Sequence, residues 1–157
     1  MNRPKSGNVQ IKIDRVENPE PGSLDRGLKH GEITSVVIGC AFDVINELGT
    51  GFLESVYEKA LLLAVRQKGL MAYAQHPIHV VFRGENVGDF YADLLIEDKV
   101  IVELKTVKTL LPEHEAQMIN YLNATQIEVG LLINFGIPRI EIKRFTRRLD
   151  YHPKTTA

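Results

Sequence analysis

The segment Tyr91–Lys105, YADLLIEDKVIVELK, spaces two carboxylates and one ammonium so that they can meet. It reads as two apolar strands joined by a tight polar turn at Glu97, Asp98 and Lys99. With the hairpin centred on Asp98, Ile96 faces Val100, Leu94 faces Val102, and Asp93 falls opposite Glu103. Side chains alternate faces along a strand, so Lys105 shares the face of Glu103. Like charges directly opposite one another destabilise a sheet. A cation between them removes that penalty, and a divalent metal held by carboxylate oxygens fits best. The competing reading is an ordinary polar strand face in which Lys105 neutralises the two acids. Against it, Leu94, Leu95, Ile96, Val100, Ile101, Val102 and Leu104 are apolar on both faces. That pattern marks a buried strand pair, where a charge must be paired or metal-bound.

Other polar residues sit at helical spacing around this hairpin. Pro112 to Ala124 reads as a helix, with proline suited to its first turn and Glu113 and Glu115 at the positive end of the dipole. It carries Gln117 and Tyr121 at i and i+4, hence on one face, with His114 near the same stripe. A helix from about Leu53 to Lys68 begins GTGFLESVYEKAL and carries Glu54 and Tyr57 at i and i+3. Each of these has an ordinary reading too. Tyr121 and Tyr57 are the sizes of packing aromatics, Gln117 suits an interface, and a glutamate at a helix start is favoured by the dipole.

The remaining elements supply a frame. Ile33 to Leu48 has apolar residues at helical spacing and ends at Gly49 and Gly51. Strands are expected at Met71–Gln75 and Ile78–Phe82, separated by His76-Pro77, with a turn at Arg83 to Asn86. Glu128–Phe135, EVGLLINF, reads as a buried strand, Gly136 and Pro138 break it, and Ile140–Phe145 is a last strand. The order helix, helix, strand meander, helix, strand, strand predicts an α/β fold, a mixed central sheet flanked by helices. Three segments are expected: a polar extension and linker over residues 1–30, one domain over 31–150, and a tail over 151–157. In the extension, Val9, Ile11 and Ile13 alternate with polar residues as in a short edge strand, and ENPEPGS (Glu17 to Ser23) reads as a linker.

At 157 residues, 44% hydrophobic and 25% charged, the chain suits one soluble domain with a single core. It has no apolar run of membrane-spanning length and no secretory-type apolar stretch near its start. One cysteine, Cys40, excludes an intrachain disulfide and a four-cysteine iron–sulfur cluster, and it sits where a small buried residue belongs. These features point to the cytoplasm. The formal charge of −1 is unevenly spread. Residues 1–138 hold 13 Lys+Arg against 18 Asp+Glu, whereas residues 139–157 hold 6 against 2. The basic set is Arg139, Lys143, Arg144, Arg147, Arg148 and Lys154, which suits a polyanion held near a metal, or simply a solvated terminal strand.

Taken in order, G-x-x-E-x-x-Y (Gly51, Glu54, Tyr57), YADLL, VIVELK, HEAQ and GLLINF resemble the GxxExxY family, a branch of the PD-(D/E)xK nuclease superfamily. The likeness spans Glu32 to Phe145. Ala92 stands before Asp93 in place of the proline that names the superfamily, and Ile45 and Thr50 stand where the family often has histidine and proline. The resemblance implies a restriction-endonuclease-like core. It implies that Asp93, Glu103 and Glu54, with the backbone carbonyl of Leu104, hold Mg²⁺ or Mn²⁺. It makes Lys105 the residue that orients water or neutralises the transition state, and Gln117 and Tyr121 the RecB-like Q-x-x-x-Y pair that positions the strand. The implied reaction is phosphodiester hydrolysis in nucleic acid, DNA favoured over RNA. The alternative is a catalytically silent nuclease fold that binds nucleic acid or protein. A homodimer is expected as well, because the alternating segment at Val9–Ile13 needs a partner strand.

Overall fold

Strand β4 (Val100–Lys105) is buried over its first five residues and lies inside the sheet, as its unbroken apolar run requires. The computed structural model describes residues 8–16, 28–136 and 139–150. The expected linker at Glu17 to Ser23 and the tail at 151–157 lie outside them. In chain order the elements are β1 (Asn8–Val16), α1 (Gly31–Leu48), α2 (Glu54–Gln67), β2 (Ala72–Phe82), β3 (Glu85–Ile96), β4, α3 (Pro112–Thr125), β5 (Val129–Asn134) and β6 (Glu141–Asp150). They form one six-stranded sheet ordered β1-β6-β5-β4-β3-β2. Among the described strands only β4 and β5 run parallel, and α3 makes the crossover that such a pair needs. The expected α/β fold with a mixed, helix-flanked sheet is what the chain adopts.

Each sheet face has its own core. On one, Val37, Ala41 and Val44 of α1 and Tyr57, Leu61 and Val65 of α2 cover Leu94, Val102, Leu104 and Leu131. On the other, Met118, Tyr121 and Leu122 of α3 cover Leu95, Ile101, Leu132 and Phe145. Helix α3 approaches closely because Gly130 has no side chain; a Cβ there would lie 2.4 Å from the Met118 sulfur. The loop joining α1 to α2 turns on Gly49 and Gly51, both at positive φ. Tyr57 fastens it: fully buried and stacked on Phe135 at 4.7 Å, it donates its hydroxyl to the Gly49 carbonyl at 2.6 Å. Cys40 is buried and free.

Several expectations are corrected. His76-Pro77 does not divide two strands, because β2 is the sheet's outer strand and proline is tolerated at such an edge. Val9, Ile11 and Ile13 do lie in a strand, but β1 pairs along its whole length with β6 of the same chain. The need for an outside strand, which motivated the dimer, is thus met internally on that side. The same pairing carries β6 well beyond Phe145. Two of the basic C-terminal residues, Arg144 and Lys143, are not free cations, and Lys154 lies outside the described residues. Arg144 is 2% exposed and donates to the Thr34 hydroxyl and the Lys29 carbonyl, tying the start of α1 to β6. Lys143 pairs with Glu115 of α3.

The chain just after Lys105 is latched to β5. Buried Asn134 accepts the Val107 and Gly136 amides at 3.0 and 3.1 Å and donates to the Val107 carbonyl at 2.8 Å. The Phe135 amide reaches the Lys105 carbonyl at 2.8 Å. A Cβ on Gly136 would stand 1.9 Å from the Val107 carbonyl oxygen, which is backbone and cannot swing aside. Gly136→Ala should therefore lower stability by about 1–3 kcal/mol, the usual cost of overpacking. Urea denaturation showing no loss would refute this account of the latch.

Candidate active site

The site forms where strand pairing fails. Strands β2 and β3 pair through Ala74–Leu94 and His76–Ala92, and no pairing joins the intervening Gln75 and Asp93. Gln75 has φ of 53°, outside the strand region. The two faces exchange there. Ala72 and Leu94 pack under α1 and α2, whereas Ile78 and Ala92 pack under α3, although strict alternation would keep each pair together. The β3–β4 ladder also stops, at Leu94–Val102. One step further, each strand's carboxylate accepts the other strand's amide. The Asp93 amide donates to Glu103 Oε1 at 2.9 Å, and the Leu104 amide donates to Asp93 Oδ2 at 2.8 Å. The hairpin turn agrees with its expected centre: Glu97 and Asp98 are both left-handed, and the Lys99 amide bonds the Ile96 carbonyl.

Lys105 follows on the face of Glu103. Its Nζ donates to Gln117 Oε1 at 3.1 Å, and Gln117 Nε2 donates to the Tyr121 hydroxyl at 3.1 Å. The i, i+4 spacing thus builds a relay of contacts from α3 down to the strand. The start of α2 brings Glu54, half-buried, within the fields of Asp93 and Lys105. Glu58, one turn on, holds Gln75, whose Nε2 lies 2.9 Å and 3.1 Å from its carboxylate oxygens and 3.5 Å from Asp93 Oδ1. Glu58 and Gln75 escaped the sequence reading. The i, i+4 spacing of Glu54 and Glu58 was a signal for the first. Nothing marked Gln75, whose backbone is set by the sheet. His114 stands apart from this group and accepts the Leu111 amide at the start of α3.

The electrostatics follow from burial. Glu103 is 3% exposed, and burial, then the neighbouring Asp93, push its carboxyl up to about 9. Burial, then Asp93, also raise Glu54, which Lys105 partly offsets. Burial and then Glu103 raise Tyr121, keeping its hydroxyl, which accepts from Gln117, neutral. The Glu103 carboxyl therefore keeps its proton at neutral pH. The donors are all oxygens, and a hard divalent cation could take the place of that proton. Asp93 and Glu103 are in contact, and Glu54 is coupled to them only through space. Among the described residues no three His, Cys, Asp or Glu side chains form a ready-made metal cage.

The sequence model of the PD-(D/E)XK nuclease superfamily matches residues 31–145. With most of the chain inside that match, the protein belongs to the PD-(D/E)XK nuclease superfamily. Such nucleases generally use divalent metals and act on nucleic acid. No curated protein gives a significant match. Among solved structures, the crystal structure of SSO0001 is similar at 18% identity and a TM-score of 0.41, over 75% of this chain and 67% of that one. No helix among the described residues is long and apolar enough to cross a membrane.

The Glu103 carboxyl gives a pH signature. Its folded value of about 9 lies above the unfolded 4.5, so its contribution to stability is complete below 4.5 and is lost as pH rises toward 9. In that window the folded state binds more protons than the unfolded state, and stability falls as pH rises by on the order of 1 kcal/mol per pH unit. Glu103→Gln, which keeps the acceptor for the Asp93 amide, should remove this slope. Denaturation of both metal-free proteins from pH 5 to 9 checks it. Parallel curves would overturn the buried-proton assignment.

Proposed function

We propose that this protein is a metal-dependent nuclease of the GxxExxY branch, hydrolysing phosphodiester bonds with DNA favoured, and that it works in the cytoplasm. The observation that carries the reading is the contact of Asp93 with Glu103 at the broken ladder, with Lys105 held beside them by Gln117. Mg²⁺ or Mn²⁺ would be held by Asp93, Glu103, Glu54 and the backbone carbonyl of Leu104. Bound there, the ion would supply an activated water and charge neutralisation at the phosphate. Glu103 must give up its proton to serve as a ligand. Lys105 is the cation available to a phosphoryl oxygen or to the attacking water. Gln117 fixes the direction of its ammonium, and Tyr121 fixes Gln117.

The lack of a ready-made three-carboxylate cage among the described residues favours a second reading, a catalytically silent nuclease fold that binds nucleic acid or protein. One experiment separates the two. DNA and RNA substrates are incubated with Mg²⁺ or Mn²⁺ alongside Lys105→Ala and Asp93→Asn. On the nuclease reading, wild type cleaves, and Lys105→Ala loses roughly a hundredfold or more of the rate while keeping its metal-induced rise in melting temperature. Asp93→Asn loses both. No metal-dependent cleavage and no metal-induced thermal shift in wild type would leave the binding-module reading.

A homodimer is proposed with it, through the outer edge of β1, which ends the sheet. Light scattering of the full chain at micromolar concentration should give twice the monomer mass. A monomeric mass removes the dimer.

A further inference from the structure

Helix α3 borders a second feature with the same residues that reach Lys105. An open groove of about 610 Å³ runs between α3 and the β2–β3 ribbon. Val80 and Phe90 line it from the ribbon, and Gln117, Asn120, Tyr121 and Asn123 line it from the helix. Its volume falls in the range of clefts that hold small organic groups. Phe90 is 46% exposed, and its ring stands 5.9 Å from that of Tyr121 at an angle of 46°. Gly88, two residues before Phe90, leaves room for this ring; a Cβ there would lie 3.2 Å from it.

We propose that this groove takes an unpaired nucleobase of the strand whose phosphate is attacked beside Lys105. The inference rests on the nuclease reading and adds a substrate class to it. Phe90 offers an exposed π-face, and every base can stack on one. Gln117, Asn120 and Asn123 lie three residues apart on one stripe of α3. Their neutral carboxamides each carry donors and an acceptor, matching the edges of bases. Glu113 is the one charged side chain in the lining, so the groove suits a neutral base better than a phosphate. Gln117 and Tyr121 belong both to the groove and to the hydrogen-bond chain from Lys105. A base here and a phosphate at the site therefore share a wall. A second protein copy fits poorly, because a stable interface needs about 800 Å² from each partner rather than a small amide-lined cleft. A base can enter only if it is unstacked, so the substrate is single-stranded nucleic acid or an unpaired overhang.

The test uses the full chain, a single-stranded DNA oligonucleotide carrying 2-aminopurine, and Ca²⁺, which takes the same kind of oxygen ligands. Wild type should bind the oligonucleotide and quench its fluorescence, and should bind a blunt duplex of the same sequence more weakly. Phe90→Ala should bind roughly tenfold more weakly and lose the quench, while Phe90→Tyr restores both. Asn120→Ala, on the exposed stripe, gives a second reading should Phe90→Ala not fold. Cleavage with Mg²⁺ or Mn²⁺ is followed in parallel. If wild type cleaves but Phe90→Ala and Asn120→Ala bind and quench as it does, the groove proposal fails and the nuclease reading stands. If wild type binds and quenches without cleaving under any metal, the nuclease reading fails, and with it the proposal as a substrate site. If Phe90→Ala instead converts a dimer to a monomer with oligonucleotide binding unchanged, the groove is an interface between copies and the proposal is overturned.

Discussion

Asp93 and Glu103 stay together because each accepts a backbone amide from the other's strand at the point where the ladder between those strands ends. Those two bonds satisfy amides that the lost pairing would otherwise leave unmet, and buried amides need partners. Burial, and then the Asp93 carboxyl held against it, raise the proton affinity of Glu103. The rest of the site is arranged around that charge. Lys105 lies on the same face, α3 restrains it through Gln117, and α2 adds Glu54 from the opposite layer. Helices on opposite faces can serve one site because the faces exchange at Gln75 and Asp93.

The supports are of a different kind from the site itself. Tyr57 has the spacing of a functional residue beside Glu54, yet it is buried, stacked on Phe135 and bonded to the Gly49 carbonyl. Its part is to fix the loop from which α2, and therefore Glu54, starts. Asn134 does the same for the segment after Lys105, and Arg144 for the start of α1. Each closes a turn or helix end through hydrogen bonds from a buried polar side chain.

What the sequence disclosed was local and periodic. The hairpin register could be read because the turn is tight and the apolar run is unbroken on both sides, so a slip would misplace every side chain. The three helices followed from spacing and end signals. The left-handed Gln75 could not be read, since no residue type there demands it and the fold imposes it. His76-Pro77 was misread as a break because the edge position of β2 is a property of the sheet, not of the dipeptide. Two of the basic C-terminal residues depart from their sequence reading for a related reason. Composition counts charges as if solvated, and only packing tells that Arg144 is buried and Lys143 already paired.

Beyond Ala92, β3 no longer runs beside β4, and the β2–β3 ribbon continues as two strands leaning on α3. The ribbon departs from the sheet at the Gln75–Asp93 step. Its outer end carries Val81, Phe82 and Val87 into solvent, and its inner end is anchored by the ladder to β4. The exposed ribbon and the carboxyl pair thus lie on one continuous strand, β3, with Asp93 at the step between them.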